Sequence, residues 1–519
     1  MSLFSLDDSP LATLEADVLV VGVVPAESGA ALAEGHGLPE QAAAHLTAVL
    51  PSLGATGKVD DVHTVPLVPG IAATKVVLTG LAPALGKDQS VTEFGIRAGA
   101  GAALRQIGAA GRVVVALPAR ETSWVGAAAL GAHLGSYAFT AFKSDRETAK
   151  GGGKDAASKP GPAGRRVTTL VVHVDDADAP AKASIARAEV VAEATAWVRD
   201  LVNTPPNVLY PESFVDAVRD QIKSNHVKLD VAVHDHKALA EMGCGGIVGV
   251  GQGSSRGPRI MELHHRPRHA AAHVAYVGKG ITFDTGGLCL KPSAAMLGMK
   301  SDMAGAAAVA AAVIAAARLK LPVAVSGYLC LAENMPSSTA QRPSDVVTMR
   351  NGTTVEIIDT DAEGRMVLGD GLCLAVESGA DAILDIATLT GACIIALGPR
   401  VAGVMSNDED VNTRVFAAAN AAGEAMWPLP LPEDLRPKLD SQVADLQHKG
   451  DLWGGTLTAG LFLREFVARS EGDPVPWAHL DIAGPSFNET APYGSTPKGG
   501  TGFGMATLLA FAEQAGGHR

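Results

Sequence analysis

Short aliphatic runs alternate with helical stretches along most of this chain, and that alternation restricts it to an α/β architecture. Its most confined instance is Asp359-Thr360-Asp361-Ala362-Glu363-Gly364-Arg365. These residues follow an apolar run, Val355 to Ile358, that reads as a short buried strand. They precede Met366 to Leu372, which reads as the start of a helix. Three acids and an arginine are therefore expected in one strand-to-helix turn. Carboxylates packed this closely raise each other's pKa, so something cationic must compensate them. Arg365 can balance one charge and a metal could balance the rest. A solvated acidic turn is the other reading of these seven residues taken alone.

The first part of the chain offers strands at Asp17 to Val24, Lys75 to Leu78 and Val113 to Leu117. Helices are expected at Phe94 to Ile107 and Val125 to Phe142. Gly54-Ala55-Thr56-Gly57-Lys58-Val59 has neither the spacing of a phosphate loop nor a Ser or Thr after its lysine. The stretch from Gly151 to Arg166, rich in Gly, Lys, Pro and Ala, reads as an exposed loop, and Val167 to Val174 as a returning strand. Pro180 suits the first turn of a helix. The helical run Ala181 to Leu201 then stops at Asn203-Thr204-Pro205-Pro206-Asn207. This divides the chain into an N-terminal α/β domain over 1–179, a connecting helix over 180–204 and a second α/β domain over 205–519. In the second, strands are expected at Leu229 to Val233, Arg259 to His264, His273 to Val277, Val323 to Leu331 and Ala382 to Ile386. A helix is expected from Asp302 to Leu319.

A formal net charge of −13 over 519 residues weighs against a duplex DNA partner, which wants a basic surface. The five cysteines, Cys244, Cys289, Cys330, Cys373 and Cys393, show no CxxC spacing. Free thiols in a reducing compartment are expected. The N-terminus lacks the pattern of a signal peptide. Ala304 to Ala317 is shorter than the roughly 20 residues that cross a bilayer. A soluble cytoplasmic protein is expected, without a membrane association.

Further acids and cations accompany the turn. His273 to Val277 runs into Gly278-Lys279-Gly280-Ile281-Thr282-Phe283-Asp284, so Lys279 and Asp284 are expected just past a strand end in a glycine-rich turn. Lys291 follows before Pro292, and Asp302 sits where it could cap the Ala-rich helix. If the sheet is parallel, Asp284, Asp302, Asp361 and Glu363 share one face of it. Each acid alone reads more simply as a cap or turn residue; four of them beside Lys279, Lys291 and Arg365 do not.

Here the chain resembles the leucyl (cytosol) aminopeptidase family of dimetal exopeptidases. The turn is close to that family's NTDAEGR signature. Gly278 through Lys291-Pro292-Ser293 to Met299-Lys300-Ser301-Asp302-Met303 is similar to its metal-binding segment in order and spacing. Val202 to Asn207, Thr388-Leu389-Thr390-Gly391-Ala392 and Trp477 to Gly484 fit as well. The resemblance covers about residues 200 to 510 firmly and the first part in layout only. One departure is Asp359, where the signature has Asn. An ionised Asp is charged and cannot donate a hydrogen bond.

The resemblance implies a smaller, macro-like N-terminal domain and a catalytic domain whose mostly parallel central sheet is flanked by helices. It implies two divalent ions, with Mn, Zn, Mg or Co all compatible with oxygen-rich ligation. Lys279, Asp284, Asp302 and Glu363 would hold one ion; Asp284, Asp361 and Glu363 would hold the other. Lys279 would then bind as a neutral amine; otherwise it is a lysine balancing the acids. The implied reaction is removal of an N-terminal, Leu-like residue from peptides by water activated between the two metals. Lys291 would stabilise the oxyanion, and Arg365 would hold a bicarbonate acting as base. Without the resemblance, Lys291 reads as a surface lysine and Arg365 as a partner of a nearby acid. Met299, Thr388, Gly391 and Ala483 would form the side-chain pocket, although core residues would look the same. A homohexamer, a dimer of trimers, is also implied.

Rival readings exist. Gly253-Ser254-Ser255-Arg256-Gly257 fits G-x-S-x-G, but a nucleophile elbow needs a strand before it and a helix after it. Pro258 and a strand-like run follow instead. His264, His265, His269 and His273 cluster in sequence, and Pro267 makes a hairpin turn a better reading than a metal site. A two-metal phosphoesterase would use similar carboxylates. A moonlighting DNA-binding role meets the acidic balance as its obstacle.

Overall fold

The computed structural model describes residues 4–27, 29–83, 90–144, 167–469 and 472–517. The loop expected at Gly151 to Arg166 lies outside them. The chain forms two compact units, Met1–Ala196 with Thr490–Lys498, and Trp197–Glu489 with Gly499–Arg519.

In the first unit a sheet runs in the order Phe4–Asp7, Val167–His173, Ala110–Ala116, Val18–Ala26, Lys75–Gly80, Val62–Pro66. Gly29–Leu32 pairs with Val18–Ala26 off that path. Strand alternation divides its core. Val18 and Val20 join Ile96 and Ala100 of the helix Glu93–Gln106. Leu19, Val21 and Val23 join Leu46 and Leu50 of the helix Glu40–Leu53. The helix expected to reach Phe142 spans Thr122–Gly135, where Ser136 closes it by returning its N–H to the carbonyls of Ala132 and His133. In Gly54 to Val59, Gly54 closes the helix Glu40–Leu53 and Gly57 serves packing. A Cβ on Gly57 would meet the carbonyl carbon of Val24 at 2.2 Å.

In the second unit eight strands lie in the order Met426–Pro428, Ala402–Ser406, Trp477–Asp481, Ala382–Ala387, His273–Asp284, Ala324–Asn334, Arg259–His265, Asp230–His234. The middle four are parallel, and antiparallel partners flank them on both sides. The parallel block sets four carboxyl ends side by side, where open α/β sheets gather ligands.

Three expectations change here. The strand predicted to stop at Val277 continues to Asp284. Lys279 is therefore inside a strand and Asp284 is its last residue, so neither sits in a turn. The glycines that suggested a turn admit a helix instead. A Cβ on Gly278 would stand 2.6 Å from Cα of Ala306, in the helix Ala304–Arg318. That helix belongs to a stretch, Ser293–Arg318, apolar enough by composition to cross a membrane. Since 89% of its most apolar window is buried in the protein, it is a core element.

The strand before the acidic turn is Thr354–Glu356, and it is not part of the large sheet. It pairs with Val346–Thr348 and Leu446–Gln447 in a small separate sheet. The histidines are not on a hairpin either. Arg259–His265 and His273–Asp284 both pair with Ala324–Asn334, not with each other. His264 Nδ1 and His273 Nε2 both meet the hydroxyl of Ser326, at 2.9 and 2.8 Å. Ser255 follows the short helix Gly245–Gly251 and precedes the strand Arg259–His265, the reverse of a nucleophile elbow.

Candidate metal centre

The site is assembled at the end of the strand His273–Asp284. Val277 and Ile281, on the face that Lys279 shares, pack into the core beneath the helix Gly364–Glu377. Lys279 is 3% exposed. Its Nζ lies 2.9 Å from Asp302 Oδ2 and 2.8 Å from Glu363 Oε1, and donates to the carbonyl of Thr388 at 2.9 Å. Burial alone would lower its pKa, but Asp302, Glu363 and Asp284 together hold it above the ordinary lysine value. Lys291 Nζ lies 2.8 Å from Asp284 Oδ2 and 2.5 Å from Asp361 Oδ1. Its pKa is likewise raised against the cost of burial by Asp284 and Glu363.

The carboxylates show the opposite strain. Burial, reinforced by Glu363, raises Asp284 above its ordinary range against the pull of Lys291 and Lys279. Burial raises Asp302 further, with Lys279 opposing and Glu363 and Asp284 adding to it. Asp361 is raised by burial as well.

Asp302 does not cap the Ala-rich helix as expected. Met303 occupies the cap position. Asp302 aims its carboxylate at Lys279 and accepts from the hydroxyl of Thr388 at 2.6 Å.

Acidic turn and strand end are joined by residues to which the sequence reading gave no role. Asn334, the last residue of its strand, donates to Asp284 Oδ1 at 2.8 Å and to the carbonyl of Thr360 at 2.9 Å. Thr360 donates to the carbonyl of Gly286 at 2.6 Å and accepts from the N–H of Cys289. The strand was expected to end at Leu331, so Asn334 gave no signal. His448 braces the turn from the other side. It accepts from the N–H of Ile358 at Nδ1 and donates from Nε2 to the carbonyl of Asp359. Its own carbonyl accepts from Arg365 Nη1 at 2.8 Å. Burial, with Arg365 beside it, pushes His448 down to about 4.

Arg365 makes no ion pair with a neighbouring acid among the described residues, and its buried Nε has no hydrogen-bond partner. Burial lowers it to about 10. Asp359 is paired with Lys449 and accepts from the N–H of Asp361. Burial would raise it, but these bonds hold it below the usual carboxylate range.

The four residues expected in the side-chain pocket lie in the loops around this cluster. Met299 opens a short 3-10 turn, and Gly391 begins the helix Gly391–Leu397 with open space where its Cβ would be. Asp481 ties the Thr388 loop to the Ala483 loop. Its Oδ1 accepts from the N–H groups of Leu389 and Ala483, both at 3.2 Å, and its Oδ2 from the hydroxyl of Thr390 at 2.7 Å.

The donor set fits metal ions. One oxygen each from Asp284, Asp361 and Glu363 lies within 4.8 Å of the others. Buried oxygens of Asp302, Asp361 and Glu363 lack a well-aligned hydrogen bond even where a lysine is close. Buried acceptors in that state are costly unless a cation completes them.

Carboxylates and lysines from a parallel strand end, the segment after it and the acidic turn beside it converge in one cluster, the kind of site a metal-dependent hydrolase uses. The comparisons give that class its family. Residues 196–509 match the catalytic domain of the cytosol aminopeptidase family, and residues 20–146 match its N-terminal domain. The chain belongs to that family and is a metal-dependent peptidase. A probable cytosol aminopeptidase of Micrococcus luteus is 49% identical over 508 residues, covering 97% of each chain. One from Streptomyces griseus subsp. griseus is 48% identical, covering 99% of each. Among solved structures, the bottromycin maturation enzyme BotP in complex with Mn is 36% identical, with TM-score 0.80 over 96% of this chain and 100% of that one. A tomato leucine aminopeptidase mutant is 28% identical, with TM-score 0.82 over 98% and 96%.

Proposed function

We propose that this enzyme removes the N-terminal residue, preferably Leu-like, from peptides with a free amine, using two divalent ions. The observation that carries this is the convergence of Asp284, Asp361 and Glu363 within 4.8 Å, with Lys279 and Lys291 against them. Asp284, Asp302 and Glu363 would hold one ion together with Lys279, which would have to bind as a neutral amine, its pKa depressed by the ions. Asp284, Asp361 and Glu363 would hold the other, with the Asp361 carbonyl also available. When bound, the ions would supply Lewis acidity and an activated water.

The chain's own residues do the rest. Lys291, largely buried and held by Asp284 and Asp361, is a positioned donor that would stabilise the oxyanion as it forms. Arg365 keeps Nη1 on His448 and leaves Nε free, an edge suited to a planar anion such as bicarbonate. That anion would take and return the proton, since Arg365 stays charged. Met299, Thr388, Gly391 and Ala483 would receive the side chain of the leaving residue. Asp481 holds two of their loops together, so the pocket's width depends on it.

Mn, Zn, Mg or Co would serve as the ions. A homohexamer in the cytoplasm is the expected form, and sedimentation checks the assembly. Chelation should abolish hydrolysis of leucine p-nitroanilide, and added Mn or Zn should restore it in step with measured metal content. Full activity in chelator would overturn the dimetal reading. An N-acetylated peptide should resist cleavage, and its ready hydrolysis would point to an endopeptidase.

A further inference from the structure

We propose that Lys449, held by Asp359 at the edge of the metal centre, selects peptides bearing a carboxylate on the residue after the scissile bond. The inference rests on the aminopeptidase reading above. It starts from the charge at Asp359, the first residue of the acidic turn. The structure gives that charge a partner in Lys449.

The two are fixed against the acidic turn. Asp359 Oδ1 accepts from the N–H of Asp361 at 3.0 Å. Its carbonyl accepts from His448, the residue before Lys449, and the carbonyl of His448 accepts from Arg365. Lys449 is thus one residue from a histidine bound on both sides to the turn that carries Asp361 and Glu363.

Lys449 differs from the two lysines inside the site. Lys279 and Lys291 each lie against two carboxylates, with side chains 4% and 15% exposed. The Lys449 side chain is 42% exposed and meets one carboxylate among the described residues. An ammonium has three donors, so two remain for a ligand. A partly exposed pair of this kind is weak, and its cation is readily shared with a second carboxylate. Leu452 and Trp453 follow on the same segment, both largely exposed, with Ile358 partly exposed beside Asp359. A cation bordered by apolar side chains suits the end of a short peptide. Asp359 tempers the attraction, because it neutralises Lys449 when no ligand is present.

Two substrate pairs test this and distinguish the sources of the carboxylate. Leu-Gly against Leu-Gly-amide reads a main-chain carboxylate. Leu-Asp-amide against Leu-Asn-amide reads a side-chain one. In at least one pair the acidic member should have the higher kcat/KM, mainly through KM. Asp359→Asn should raise that ratio about fivefold and Lys449→Gln should lower it about as much, the scale of an exposed charge pair. The double variant should fall between them. The preference should shrink in about 0.5 M salt. Ratios that stay within twofold in both single variants, or move in the same direction, would overturn the inference while the enzyme still cleaves. Failure to cleave all four peptides would overturn the aminopeptidase reading and this inference with it.

Discussion

The side chain of Lys279 lies across the start of the helix Gly364–Glu377, with its Cδ, Cε and Nζ each 2.8 Å from where a Cβ on Gly364 would stand. Gly364→Ala must therefore push Lys279 away from Asp302 and Glu363. Alanine favours the helix by up to about 1 kcal/mol, so overall stability should change little. Activity should fall at least roughly 100-fold, as expected when a catalytic group is displaced by about 1 Å. Urea unfolding beside kcat/KM checks this, and parallel loss of both would refute it.

Lys291 reaches both Asp284 and Asp361. Lys291→Ala should lower kcat about 100- to 1,000-fold, the range found when an oxyanion donor is removed. Metal content should persist, because the proposed ligands are untouched. Turnover within a few-fold of the parent would remove Lys291 from the mechanism.

Asp481 gathers N–H groups from Leu389 and Ala483 and the Thr390 hydroxyl. Asp481→Asn sets an amide N–H against some of these donors. The expected cost is about 1–3 kcal/mol. KM for leucine p-nitroanilide should rise more than kcat falls, since the loops it joins carry Thr388 and Ala483. A change confined to kcat would count against a role in shaping the pocket.

His448 gives stability a dependence on pH. Its folded pKa is about 4, while an unfolded histidine titrates near ~6.5. Between those values the unfolded chain takes up a proton that the folded chain refuses. Stability from this residue is complete above about pH 6.5 and is lost as pH falls toward 4, by about 3 kcal/mol in all. His448→Gln should flatten the pH slope of urea stability in that window, whatever constant offset it adds. Equal slopes in parent and variant would show that His448 is not buried neutral.

The sequence exposed the chemistry of this protein more fully than its geometry. Lys279, Asp284, Lys291, Asp302, Asp361, Glu363 and Arg365 draw notice as acids and cations gathered near strand ends and helix starts, but the roles expected of them come from the family resemblance and not from composition. Their supports are inconspicuous. Asn334 and Thr360 are ordinary polar residues whose importance comes from meeting Asp284 and Gly286 across the fold. The glycines around Lys279 suggest a turn by composition, and only the packing of Ala306 against Gly278 explains them in a strand. Asp302 looks like a cap because it precedes a helix, yet Lys279 and Thr388 hold it elsewhere. Position along the chain cannot distinguish these roles, since the partners are distant in sequence.

The halves of the metal centre belong to different sheets. Asp284 ends a strand of the large one, while Asp361 and Glu363 follow a strand of the small one. The strand His273–Asp284 and the loops after it supply Lys279, Asp284, Lys291 and Asp302, and the turn beside the small sheet supplies the rest of the donor set. Val355 and Leu446 of the small sheet share one core with Val277 and Ile281 of the large one, so a packing change in either sheet bears on the spacing between the two groups of donors.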